Sequence, residues 1–136
     1  MESNLFMALR MEQNEVVMCR FLADLLDPKG WHKRKTQFLK SFLRDVVQLK
    51  DVEKARLENT CVMTEYRIDN DRRIDIMLQN PAFSVPIEAK INAGDQESQC
   101  YDYFSYARNA KLVYLTKWGD TPSEWSRKEA NRKGKE

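Results

Sequence analysis

Between Arg72 and Lys90 two short runs of alternating apolar residues flank a turn, and few structures other than a β-hairpin satisfy that pattern. In the first run Ile74, Ile76 and Leu78 alternate with Arg73, Asp75, Met77 and Gln79, the period of two that a strand imposes on its side chains. In the second, Val85, Ile87, Ala89 and Ile91 alternate with Pro86, Glu88 and Lys90. Asn80 and Pro81 supply turn chemistry between them. A loop centred between Pro81 and Ala82 sets 79 opposite 84, 77 opposite 86, and therefore Asp75 opposite Glu88. Directly opposed side chains have Cβ atoms about 4.5–5.5 Å apart. Two carboxylates that close repel unless a positive charge sits between them, and a hard divalent cation suits an all-oxygen pair. Lys90, two residues beyond Glu88, leaves the strand on the same face.

Asp75 followed by Glu88-Ala89-Lys90 resembles the signature of the PD-(D/E)XK, restriction-endonuclease-like nucleases. Glu65 within TEYRID, the INAGDQESQ segment after Lys90, LVYLTKWGDTPS near the end and NEVVMCRFLADLLDP near the start are similar to a bacterial and phage branch of that superfamily, so the likeness spans residues 10 to 123. Ile74-Asp75 stands where the signature has proline-aspartate, which leaves the aspartate in place. Gln99 and Tyr103 resemble the Gln-x-x-x-Tyr element that follows the active-site lysine in helicase-associated members.

The resemblance implies an α/β fold with a restriction-endonuclease-like core. That core is a mixed sheet of about four strands with helices on both faces in the order αβββαβ, preceded here by an N-terminal helical pair. It also implies a metal-dependent nuclease that hydrolyses phosphodiester bonds, with DNA the expected substrate and Mg²⁺ or Mn²⁺ the cofactor. Asp75 and Glu88 are then the metal ligands, with Glu65 and Glu15 completing the shell, and Lys90 and Gln99 join them as catalytic groups. Tyr103 is assigned with the basic residues below to nucleic-acid binding.

A chain of 136 residues fits one domain with a real core. The nuclease-like domain is assigned to residues 1–123, and the basic tail 124–136 is a candidate truncation point. The composition, 42% hydrophobic and 32% charged, is that of a soluble globular protein, and no apolar run approaches the roughly 20 residues of a membrane span. No basic segment followed by an apolar stretch opens the chain, so a cytoplasmic protein is expected. Cys19, Cys61 and Cys100 are odd in number and widely spaced, which argues for free buried thiols over disulfides or a zinc site. The net charge of +2 does not announce a nucleic-acid binder. Its distribution says more: Lys29, Lys33, Arg34, Lys35 and Lys40 occur with no acid among them, and Lys33, Arg34 and Lys35 are candidate phosphate contacts.

Along the chain, Met18, Cys19, Phe21, Leu22, Leu25 and Leu26 recur at helical steps between Glu12 and Leu26, and Asp27-Pro28-Lys29-Gly30 ends that helix. Glu15 lies on the stripe of Met18, Leu22 and Leu25, where a carboxylate is costly unless paired or bound to metal. Thr36 is a candidate cap for a second helix with Phe38, Leu39, Phe42, Leu43, Val46 and Val47 on one side. Cys61 to Tyr66 reads as the first strand of a three-stranded meander. Asp95 is a candidate cap for a helix reaching Ala107, whose free N–H groups would attract phosphate. Leu112 to Thr116 reads as a strand parallel to a neighbour.

Two rival readings remain at this stage. One is a catalytically degenerate module on the same fold that binds nucleic acid or a partner. The other treats Asp75, Glu88 and Lys90 as a cross-strand ion-pair cluster, each pair contributing under about 1 kcal/mol. Oligomeric state is open, with a homodimer compatible.

Overall fold

In the computed structural model, residues 5–10, 14–69, 71–90, 94, 96, 98–106, 111–116 and 118–128 are described. A short helix α1 (Leu5–Ala8) precedes α2 (Glu15–Leu26). Asn14 caps α2, its side chain accepting from Val17 N at 3.1 Å, so α2 begins after the Glu12 expected from periodicity; residues 11–13 lie outside the described set. At the other end Asp27 is extended, and Pro28 has no N–H to continue the ladder.

The second helix differs in kind from its expectation. Helix α3 (Gln37–Ser41) passes into a π-helical turn, Phe42–Val46, closed by Val47 N donating to Phe42 O at 3.0 Å. Widening the turn keeps Leu39, Leu43 and Val47 buried in one line at steps of four. The residues between them rotate outward: Val46 is 55% exposed and Phe38 is also exposed. Thr36 stands at the cap position without a side-chain cap bond.

Four strands, β1 (Cys61–Ile68), β2 (Arg72–Asn80), β3 (Phe83–Lys90) and β4 (Val113–Thr116), form one sheet in the order β1-β2-β3-β4. The first three are an antiparallel meander, and β4 lies parallel to β3. The return from β3 to β4 passes through α4 (Gln99–Phe104), as a parallel pair requires. The β2–β3 hairpin turns through Pro81 and Ala82, with Asn80 paired to Phe83. Asn80 holds this corner: its Oδ1 accepts from Ala82 N at 2.9 Å, and its Nδ2 donates to Arg56 O at 2.8 Å and Thr60 Oγ1 at 3.1 Å.

Helices cover both faces of the sheet. Ala23 and Leu26 of α2, with Leu39 and Leu43, pack on Ile76, Leu78, Val85 and Ile87. On the other side Tyr103 of α4 packs with Ile74 and Met77. The alternation thus reverses at Asp75: Ile74 leaves the face of Ile76 and Leu78 and joins Met77 on the other.

Among the described residues α4 runs only from Gln99 to Phe104, and the expected cap Asp95 and end Ala107 lie outside them. Its first amides are already occupied. Ser98 N donates to Trp125 O at 3.0 Å and Gln99 N to Gln96 O at 3.3 Å, while Cys100 N donates to Ser126 Oγ at 3.2 Å. These amides are therefore engaged by the chain itself, and the phosphate site expected at an Asp95-capped N-terminus lies outside the described residues. The acceptors Trp125 O and Ser126 Oγ show that the basic tail is not wholly loose: Glu124–Arg127 forms helix α5, capped by Ser123 and seated on α4, with Ser126 fully buried. The thiols are free, but only Cys100 is buried; Cys19 is half-buried and Cys61 exposed. Among the described residues no helix is long and apolar enough to cross a membrane.

Candidate active site

The hairpin register runs as the turn chemistry predicts, Gln79 to Ser84, Met77 to Pro86 and Ile76 to Ile87, and then stops. Beyond that point β3 pairs with β4 and β2 stays with β1, so the two strands fork. Asp75 stands in the fork rather than in a ladder opposite Glu88. Its Oδ2 accepts from Ala89 N at 2.8 Å, replacing the backbone carbonyl that β3 loses where the strands part. On β1, Glu65 adopts the left-handed region at a φ of 50°, and the β1–β2 register skips the 65/75 pair between Thr64–Ile76 and Tyr66–Ile74. A non-glycine residue in that region within a strand is strained, and here the strain sits beside the fork.

Glu88, 3% exposed, projects from β3 into this opening. Its Oε1 accepts from Lys90 Nζ at 3.0 Å and from Gln99 Nε2 at 3.2 Å. Its Oε2 is buried without a donor, beside the Asp75 carboxyl with which it competes for a proton. Burial first, and the Asp75 charge second, push the Glu88 carboxyl up to about 8 against the opposing pull of Lys90. Burial also raises the Asp75 carboxyl, with the Ala89 N–H bond opposing it. One lysine does not offset two desolvated carboxylates.

Gln99 and Tyr103 hold the third side. Gln99 Nε2 also lies 3.2 Å from Tyr103 Oη, and the Tyr103 hydroxyl donates to Arg73 O. Tyr103 is 2% exposed, and burial followed by the Glu88 charge pushes its phenol up to about 12. Tyr103, assigned to nucleic-acid contact, packs its ring in the core and fastens α4 to β2 through its hydroxyl, and it also lines the cleft described next. Tyr103→Phe leaves Arg73 O and Gln99 short of a partner, an expected loss of about 1–3 kcal/mol. Urea denaturation of the two proteins measures it.

These groups line a cleft of about 330 Å³. The α2 wall carries Glu15, Val16, Cys19 and Arg20; the β wall carries Thr64, Glu65, Arg72 and Arg73. Glu15 thus faces the opening, as its place on the apolar stripe suggests. Glu65 lies on the rim, where its Oε1 pairs with Arg73 Nη1 at 3.3 Å and both side chains are about half exposed. Lys33, Arg34 and Lys35 lie outside this lining, exposed on the loop after α2. His32, in the same loop, is engaged internally: its Nδ1 accepts from Arg34 N at 2.9 Å and its Nε2 reaches Asp27 O at 3.0 Å.

Several lining residues escaped sequence reasoning, Arg72 and Cys19 among them. Arg72 pairs with Asp102 at 2.6 Å, largely shielded from water, and its Nη1 reaches Gln96 Oε1 at 3.3 Å. It ties β2 to α4 across 30 positions, and no local pattern signals such a pair. Cys19 carries a thiol pushed up to about 12 by burial and then by Asp75, Glu15 and Glu88. It is therefore no nucleophile, and its environment registers the negative field of the carboxylates.

The donor set suits one kind of cation. Among the described residues no group of three or more His, Cys, Asp or Glu side chains is arranged to hold a metal. A pair of carboxylates with one orphaned buried oxygen matches Mg²⁺ or Mn²⁺, since Mg²⁺ binds through one or two carboxylates and keeps several waters.

Residues 3–135 match the family model of the PD-(D/E)XK nuclease superfamily. No curated protein and no solved structure matches the chain. The match covers nearly every residue of the chain that carries this cleft: the chain belongs to the PD-(D/E)XK nuclease superfamily.

Proposed function

We propose that the protein is a Mg²⁺- or Mn²⁺-dependent deoxyribonuclease whose reaction centre is the fork between β2 and β3. The observation that carries the reading is the Glu88 Oε2 atom, buried without a donor beside Asp75. A buried polar atom left unmatched costs free energy, and a cation held by Asp75 and Glu88 relieves it. When bound, the cation acts as a Lewis acid and lowers the pKa of water.

The chain's own groups do the rest. Asp75 keeps one oxygen on Ala89 N, which orients the carboxylate and leaves the other for the cation. Gln99 fixes the Glu88 rotamer from α4, and Tyr103 fixes Gln99, the kind of support that holds a ligand at its working geometry. Lys90, paired with Glu88, is placed to donate to a phosphate oxygen and neutralise charge that develops on it. Glu15 and Glu65 face the same cleft and orient water at its mouth. Arg20 gives the α2 wall positive charge that attracts the phosphate backbone.

The test incubates purified protein with linear duplex, circular duplex and single-stranded DNA in chelator, in Mg²⁺ and in Mn²⁺. Cleavage is expected with a cation and none with chelator. Cleavage that survives chelation, or the absence of cleavage of every form with both cations, overturns the proposal.

A further inference from the structure

The loop that ends α2 presents Trp31 to solvent at 90% exposure, and it does so on a braced backbone. Asp24 Oδ1 accepts from Trp31 N at 3.0 Å, and Asp27 Oδ1 from Lys29 N at 2.9 Å. His32 bridges Asp27 O and Arg34 N and packs edge-on against Phe38 with ring centroids 5.1 Å apart. Gly30 is pressed so close that an added Cβ would meet Asp24 O at 2.2 Å, so only glycine fits. Asp24 and Asp27 are thus engaged as loop struts, while Lys29, Lys33, Arg34 and Lys35 are exposed on the same loop.

A large aromatic ring held in water on a rigid loop contributes nothing to the core, and four exposed cations on the same loop disfavour an apolar protein partner. Phosphates beside stackable bases match both features. Position agrees with this chemistry. Arg20 on α2 lines the cleft, and Asp27, where the loop begins, lies about 10 Å further along the helix at 1.5 Å per residue. That distance corresponds to about three stacked nucleotides at 3.4 Å each.

We propose that the 29–35 loop binds unpaired DNA, Trp31 stacking on a base and the cations of the same loop holding phosphates of the strand that enters the cleft. This rests on the nuclease reading above and narrows its substrate to DNA with a single-stranded stretch. In an intact duplex the bases are stacked on one another and offer no face to an indole.

Binding of labelled oligo-dT and of a duplex of equal length is measured by fluorescence anisotropy in chelator, where no cleavage intervenes. The wild type is expected to favour the single strand. Trp31→Ala should weaken oligo-dT binding about tenfold, the scale of one base–aromatic stack, with little change for duplex, and Trp31→Phe should retain most of the affinity. Replacing Lys33, Arg34 and Lys35 together by Ala should flatten the slope of log affinity against log salt by about 2, from about 0.7 per phosphate on a single strand. Unchanged oligo-dT binding in Trp31→Ala, equal affinity for duplex in the wild type, or a Trp31→Ala effect confined to self-association in sedimentation overturns the proposal. Failure of the two readings is separable. Trp31-dependent binding by a protein that cleaves nothing sinks the nuclease alone, and cleavage indifferent to Trp31 sinks the loop alone.

Discussion

Asp75→Asn and Lys90→Ala each lower DNA cleavage at saturating Mn²⁺ by about 10²–10³-fold or more, and neither unfolds the domain. The magnitude follows from removing one preorganised group that meets developing charge in a water-poor site. The two variants remove different things. Asparagine at position 75 keeps an oxygen for Ala89 N, so the fork between β2 and β3 is preserved while the negative charge is lost. Alanine at position 90 takes away the ammonium 3.0 Å from Glu88 and leaves both carboxylates. Cation binding, followed by calorimetry, should therefore weaken in Asp75→Asn and persist in Lys90→Ala, whose deficit should fall on kcat. Asp75→Asn that is pure, folded and as active as the wild type eliminates this mechanism. Equal loss of cation affinity in both variants eliminates the division of labour between them.

The hairpin was legible because its information is local: alternation sets the faces, and Asn80-Pro81 sets the register as far as Ile76 and Ile87. The signature residues then place the site by resemblance, and the fold class follows. What the strand pattern misses is the parting of the strands. The same alternation that puts Asp75 across from Glu88 continues on paper, whereas the left-handed turn at Glu65 and the pairing of β3 with β4 end the ladder one step earlier. Non-local pairs are invisible for a related reason. Arg72 and Asp102, or Cys100 and Ser126, meet only because α4 and α5 fold back, and nothing in either segment's own periodicity requires it. Tyr103 illustrates the ambiguity of aromatics: at a helix position one turn from Gln99 it suits a ligand or a core equally, and the short α4, pinned on Met77 and Ile74, decides for the core. The π turn after Ser41 is a third case, since six apolar residues at mixed spacings fit two helical faces and only packing selects Leu39, Leu43 and Val47.

Without metal, Glu88→Gln should be more stable than the wild type at alkaline pH, by on the order of 3 kcal/mol, or about 10 °C in Tm for a domain of this size. The sign follows from proton linkage. Glu88 ionises near its ordinary value of 4.5 in the unfolded chain and at about 8 in the folded protein, so between those limits the folded state holds a proton that the unfolded state has released. Stability must then fall as pH rises from about 4.5 to about 8, and level off on either side. The two steps belong to the coupled Asp75–Glu88 pair rather than to one residue, and burial of Asp75 leaves a smaller slope in the variant. Glutamine removes the repulsion and adds a donor: its Oε1 can still accept from Lys90 and Gln99, while its amide takes the place of the Oε2 that lacked a partner. Cation should reverse the order. The wild type gains about 1.4 kcal/mol at ten times its dissociation constant, and the variant gains much less. An ordinary ion-pair cluster gives the opposite pattern, because removing Glu88 strands Lys90 and lowers Tm, and neither protein responds to Mg²⁺ or Mn²⁺. Melts of both proteins from pH 5 to pH 9, in chelator and with each cation, separate the two. A wild type whose Tm is flat across that range and blind to both cations removes the metal site from this fork.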